Sequence, residues 1–189
     1  MALNDIGLCA RALARVGVHP ITSFADGTAE SEIAALLYPP LCDAILSSYP
    51  WSFATAQISL TRLETAPVAD YAYAYQLPSG FLRALSAGMG TRGRGVSYRL
   101  VQNQLHSDAS AITLTYLYRP EEEDFPPYFA AAVITRLAAE FCLPLTENTA
   151  RAEALARLAD QDLTRARQID AQQHSPNRIE RFPLIDARE

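Results

Sequence analysis

Lysine is missing from this chain. All 16 of its basic side chains are arginine, set against 21 acidic ones, for a net charge of −5 and a pI near 5.2. That balance argues against a protein that grips nucleic acid by counterion release, which requires a net basic face. It leaves room for one that merely surrounds DNA. A GC-rich genome accounts for the missing lysine without any functional demand, although arginine's planar donor fork also suits subunit interfaces. Cysteine is scarce: Cys9, Cys42 and Cys142 are odd in number, far apart and outside any CxxC pattern. This excludes a disulfide framework and points to buried reduced thiols in a cytoplasmic setting. His19, His106 and His174 are scattered, with no Ser/His/Asp, Cys/His or metal-ligand spacing around them. No catalytic residue, cofactor or metal is therefore expected. No apolar run approaches the roughly 20 residues that cross a bilayer, so no membrane contact is expected. The opening MALNDIGLCARALARVGV has no basic region leading into an unbroken apolar stretch, and so does not read as a secretion signal.

What is present suits one domain with a real core: 189 residues, 49% of them hydrophobic. The organising stretch runs from Thr28 to Ala54. Ile33, Leu37, Leu41 and Ile45 recur every four residues with Leu36 beside them, the spacing of one helix face. Thr28 suits an N-cap, and Glu30 and Glu32 complement the positive end of the helix dipole. Pro39 and Pro40 predict a kink, or two helices meeting at a corner. Pro50 stops the run, and Trp51, the sole tryptophan, reads with Phe53 as a core anchor. Ahead of this stretch, Asn4 to Val16 reads as a short helix. Asn4 is its cap, Ile6, Cys9, Leu13 and Val16 form its inner face, Arg11 and Arg15 lie opposite, and Gly17 ends it.

From Ala56 the period changes to two. Ile58, Leu60 and Leu63 suggest a strand, and Tyr71, Tyr73 and Tyr75 form an aromatic ladder on one side of another. Tyr73 and Tyr75 are expected to be core anchors rather than a base-stacking platform, because no basic groove accompanies them. Gly88, Gly90 and Gly93 have GxGxxG spacing, but a strand pattern (VSYRLV) follows where a dinucleotide site needs a helix. The loop reads instead as a flexible hairpin tip carrying Arg92 and Arg94. With Ile112 to Tyr118 as the clearest strand, three to five antiparallel strands are expected between Ala56 and Arg119. The acids Glu121, Glu122, Glu123 and Asp124 read as solvated charges ahead of a helix start.

A helix from Pro127 to Leu143 carries Phe129, Val133, Leu137 and Phe141 on one face and should pack on the Ile33–Ile45 face. A last helix, capped by Thr146 or Asn148, runs to about Ala171. Its charges pair at helical spacing (Glu147 with Arg151, Glu153 with Arg157, Asp162 with Arg165). Its apolar face, through Leu155, Leu158 or Ala159, Leu163 and Ala166, is thin. The fold class expected is α+β: a mainly helical bundle (1–55 and 125–171) with an inserted antiparallel β region (56–122). An extended C-terminal arm, 172–189, follows. Ile179, Phe182, Leu184 and Ile185 in that arm are too apolar to be left in water, so it either folds back on its own core or docks on a partner.

Three stretches together resemble the tail tubular protein A family, the head-to-tail adaptors of phages and prophages. They are LYPPLCDAILSSYPWSFA, the strand YAYQLPSGFLR from Tyr73 to Arg83, and the long charged helix with its proline-broken tail. The resemblance covers almost the whole chain. It implies a structural, non-enzymatic protein in the virion neck, assembled in the cytoplasm of the host bacterium. Such a protein forms a ring, generally dodecameric, below the portal and carries the DNA channel to the next tail component. It implies further that Arg178, Ile179, Arg181, Phe182, Leu184 and Ile185 dock on the portal. Arg92 and Arg94 would lie at the tail side or lumen, past which double-stranded DNA slides without sequence-specific binding. A monomeric helical binding module and a peptidoglycan-degrading tail enzyme are the alternatives.

Overall fold

Helix α1 (Asp5–Val16) starts where the Asn4 side chain accepts from the Gly7 amide at 2.7 Å and stops where Gly17 turns left-handed at φ 83°. Its inner face is Leu8, Cys9, Ala12, Leu13 and Val16. Helix α2 (Ala29–Ser48) opens on a reciprocal capping box between Thr28 and Ser31. It runs through Pro39 and Pro40 as a single helix, not as two helices. Its buried face also differs from the expected stripe. Ser31, Ala34, Tyr38, Cys42, Ile45 and Leu46 point inward, Ile33, Leu37 and Leu41 are half-buried, and Leu36 is 72% exposed. The prolines give the reason. They remove the amide donors that the carbonyls of Ala35 and Leu36 would use, and that arc of the helix is the one turned to water.

The computed structural model describes residues 3–173, and within them α3 (Pro127–Thr146) is the hub. Helices α1, α2 and α4 (Thr149–Ala171) all pack on it, α4 most extensively. Phe129, Val133, Leu137 and Phe141 are fully buried, as their spacing predicts. The helix is long and apolar enough to cross a membrane, although Arg136 and Glu140 interrupt it. Eleven of its side chains are instead buried against the other helices. It continues past Pro144 to Thr146, one turn beyond the expected end, and closes with Glu147 at φ 53° and its amide on the Leu143 carbonyl. Asn148, not Thr146, caps α4 by accepting from the Arg151 amide at 2.9 Å. Only Ala159, Ala166 and Asp170 of α4 are buried, and Leu158 is exposed, so Ala159 is the residue that faces the core. Of the three expected α4 pairs, only Glu153–Arg157 is present, at 3.9 Å. Arg151 instead donates to the Arg15 carbonyl, and Asp162 accepts from Thr135 at 2.8 Å. Arg15, expected to face away, also donates to Thr135.

Between α2 and α3 the chain makes six strands rather than three to five. The order β1 (Thr55–Ser59), β6 (Thr113–Tyr118), β3 (Phe81–Gly88) forms one antiparallel sheet. The order β2 (Tyr73–Gln76), β5 (Gln104–Ser107), β4 (Arg99–Val101) forms the other. The architecture is α+β. Alternation along β6 shows how the layers meet, because successive side chains point to opposite faces. Leu114 and Tyr116 enter the core shared with Tyr75, Leu105 and Ile112, whereas Leu117 enters the helical core. The first sheet is thus sandwiched between the helices and the second sheet.

Candidate interaction surfaces

The end of α4, where the chain leaves for its last residues, is held by a buried carboxylate. Asp170 is 1% exposed. It accepts from the Ser52 amide at 3.0 Å, the Ser52 hydroxyl at 2.7 Å and the Tyr128 hydroxyl at 2.8 Å. A lone carboxylate is tolerated in such a place only when donors surround it. Burial and Asp170 push the Tyr128 hydroxyl up to about 12, so it stays a donor. Beside this knot Trp51 donates its indole N–H to the Ile45 carbonyl at 3.1 Å and meets Phe129 edge-on at 5.0 Å. The sequence singles out Trp51 but offers no sign of Asp170, because its donors are 42 and 118 positions away along the chain.

The glycine-rich loop is not a free hairpin tip. It links the two sheets and folds back over the first. Ser86 and Thr115 hydroxyls donate to the Gly93 carbonyl at 2.6 and 3.3 Å, Thr113 donates to the Gly90 carbonyl, and the Val96 amide pairs with Ala87. The loop borders an open depression of about 830 Å³ lined by Gln57, Thr91, Arg92 and Arg94. Arg92 and Arg94 are exposed and have no carboxylate partner among the described residues. A Cβ on Gly88 would sit 1.8 Å from the Arg92 carbonyl oxygen, against backbone that cannot rotate away. Gly88→Ala is therefore expected to lift the loop at a cost of roughly 1–3 kcal/mol. Faster tryptic cleavage after Arg92 and Arg94 would register that change.

The acidic run is not uniformly solvated. Glu122 accepts from the Tyr38 hydroxyl at 2.7 Å and from Arg119 at 3.1 Å, while Arg119 also bridges to Asp43. This ties α2 to the segment before α3. Burial pushes the Glu122 carboxyl up, but the hydrogen bonds from Tyr38 and Arg119 outweigh it and hold the group below the usual glutamate range. A lowered folded value means stability that is complete above the unfolded value of about 4.3 and lost as pH falls through the folded one. The stability gap between the native chain and Glu122→Gln, measured by urea denaturation, should therefore close as pH drops from about 6 to about 3. Burial also pushes the Cys9 thiol up to about 12 and the Cys42 thiol up to about 11. Neither is a thiolate at neutral pH. Both should stay unlabelled by a thiol reagent until the chain is denatured, as should the equally buried Cys142.

The aromatic residues fall into two groups rather than one anchor. Trp51 and Phe53 belong to the helical core, and Tyr73 and Tyr75 to the β core. Tyr75 is buried and donates to the Ala109 carbonyl. The tyrosines do have basic neighbours that the sequence conceals. Arg62 lies over Tyr73 at 4.9 Å and Arg99 over Tyr71 at 5.9 Å, although Arg99 is engaged by Asp70 at 2.8 Å. The arm residues Arg178, Ile179, Arg181, Phe182, Leu184 and Ile185 lie outside the described residues. Among the described residues no three His, Cys, Asp or Glu side chains gather as metal ligands. Comparison of the chain with known protein families and with curated proteins finds no match in either.

Proposed function

We propose that this chain is a structural head-to-tail adaptor. Copies of it form a ring below a phage portal, generally a dodecamer, and carry the DNA channel to the next tail component. The observation that carries the reading is helix α4. It is 23 residues long, about 35 Å at 1.5 Å per residue, and buries only Ala159, Ala166 and Asp170 within its own subunit. A helix packed on α3 along one side, with its other side in water, suits side-by-side packing around a ring. The segment it delivers, with Ile179, Phe182, Leu184 and Ile185 between arginines, suits a groove on the portal. Net acidity suits a lumen through which phosphates must slide without being held, with Arg92 and Arg94 as local guides at the tail side or lumen. No chemistry is assigned to the protein. The place of action is the virion neck, after assembly in the host cytoplasm.

The test mixes the purified protein with the portal encoded in the same genome and follows the product by native mass measurement and electron microscopy. A stoichiometric second ring, lost when Gln173 to Glu189 is deleted, is the expected result. No association at micromolar concentrations would overturn the adaptor reading and leave a monomeric helical binding module in its place.

A further inference from the structure

Along β6, Thr113, Thr115 and Leu117 share one face of the first sheet. Leu117 is fully buried there in the helical core, whereas Thr113 and Thr115, beyond it, are only half-buried. That outlying part of the face is polar. Gln57 of β1 and Ser86 of β3 are both register partners of Thr115, so the three form one row across the sheet. The glycine-rich loop lies directly on this row: a Cβ on Gly93 would sit 2.8 Å from the Thr115 hydroxyl oxygen. Row and loop together wall the open depression of about 830 Å³.

We infer that this depression is a seat for phosphate oxygens. None of the eight residues that line it is acidic, in a chain where acids outnumber arginines 21 to 16. The Ser86 and Thr115 hydroxyls donate to the Gly93 carbonyl, and the Gln57 amide donates to the Thr115 oxygen at 3.0 Å. These bonds fix the loop before any ligand arrives, which lowers the ordering cost of binding. What remains for a ligand is donors: the Arg92 and Arg94 guanidiniums, the Thr91 hydroxyl and the second amide hydrogen of Gln57. Donors supplied by both strand and loop suit a tetrahedral anion, whereas a planar carboxylate is satisfied by a single guanidinium fork. No aromatic ring lines the depression, so a base has nothing to stack on and only the phosphate is recognised. Two guanidiniums on separate side chains in a space this large hold more than one phosphate, as in a polyphosphate or a nucleic-acid backbone. A DNA source for the phosphates rests on the adaptor reading; the seat itself does not.

The isotope-labelled full chain is titrated at low salt with sodium tripolyphosphate, and its amide spectrum is followed by nuclear magnetic resonance. The amides of residues 91–95 and the Gln57 side-chain amide should shift together and saturate at millimolar concentrations. Arg92→Gln and Arg94→Gln should each weaken binding about fivefold, the upper end for an exposed ion pair. Arg165→Gln, which removes an equal charge from an exposed position on α4, should leave it unchanged. Gln57→Glu puts a carboxylate into the row without altering the loop sequence, and should abolish binding. Unchanged signals elsewhere verify that each variant is folded. No saturable shift overturns the inference. So does equal weakening by Arg165→Gln, which would mean diffuse screening. Hexaglutamate moving the same signals at lower concentration than tripolyphosphate would also overturn it and assign the depression to an acidic peptide. A short DNA duplex separates the phosphate sources. The logarithm of its binding constant should fall with that of salt concentration at a slope of about −1.8 for two phosphates, halved in Arg94→Gln. Tripolyphosphate binding without duplex binding upholds the seat and assigns it to free phosphate chains. Portal association plays no part in any of these signals, so their outcome is separate from that of the adaptor test.

Discussion

Trp51→Ala is expected to lower the stability of the folded chain by about 3–5 kcal/mol, the largest effect of any single truncation considered. Trp51 is fully buried. It touches Tyr49 at 4.9 Å, Phe53 at 6.0 Å and Phe129 at 5.0 Å between ring centroids. These partners come from the end of α2, the turn before β1 and the start of α3, so the cavity opens where helical core and β insertion join. Each aromatic pair adds about 0.5–1.5 kcal/mol beyond area burial. The Ile45 carbonyl, which accepts the indole N–H, loses that partner as well. For a chain of this size each kcal/mol shifts Tm by about 2–4 °C. A thermal melt followed by circular dichroism should therefore move down by about 10 °C. A shift of only one or two degrees would show that the site collapses around the missing ring.

Asp170→Ala is expected to cost about 3 kcal/mol, and its signature differs. No large volume is lost, but the Ser52 amide, the Ser52 hydroxyl and the Tyr128 hydroxyl lose a shared acceptor. Unmet buried donors cost about 1–3 kcal/mol each, less where water enters. Because Asp170 lies in the last turn of α4, the loss should concentrate there. Hydrogen exchange should rise first in the final turns of α4 and around Ser52, with the α1 amides much less affected. Asp170→Asn tests the charge: it keeps an acceptor oxygen but presents a donor to the remaining contacts. An intermediate loss is expected, and no loss at all would mean that only one of the three hydrogen bonds matters.

Helix existence and most inner faces were legible in the sequence. Asn4 and Thr28 are caps because a short polar side chain ahead of an apolar period can accept an orphan amide, and both act so; the last helix left Thr146 or Asn148 open, and Asn148 is the cap. The spacing of Phe129, Val133, Leu137 and Phe141 put all four in the core. In α2, Ile33, Leu37 and Leu41 pack half-buried on the helical core beside Ile45, and Leu36 alone was misplaced, because periodicity weighs it as an apolar residue. Periodicity cannot register that two prolines strip donors from one arc and so turn it to water. The glycine loop read as mobile because glycine content reports conformational freedom, whereas its anchors are hydroxyls on Ser86, Thr113 and Thr115.

Local order was readable from the residues alone: four helices, an intervening β region and their caps. These depend on contacts within a few residues, where spacing and chemistry are visible together. Tertiary structure alone decided the long-range polar partners. Asp170 with Ser52 and Tyr128, Glu122 with Tyr38, and Thr135 with Asp162 join positions between 27 and 118 residues apart. Burial of a charge or a hydroxyl depends on which donors the fold brings to it, and residue type carries no trace of that.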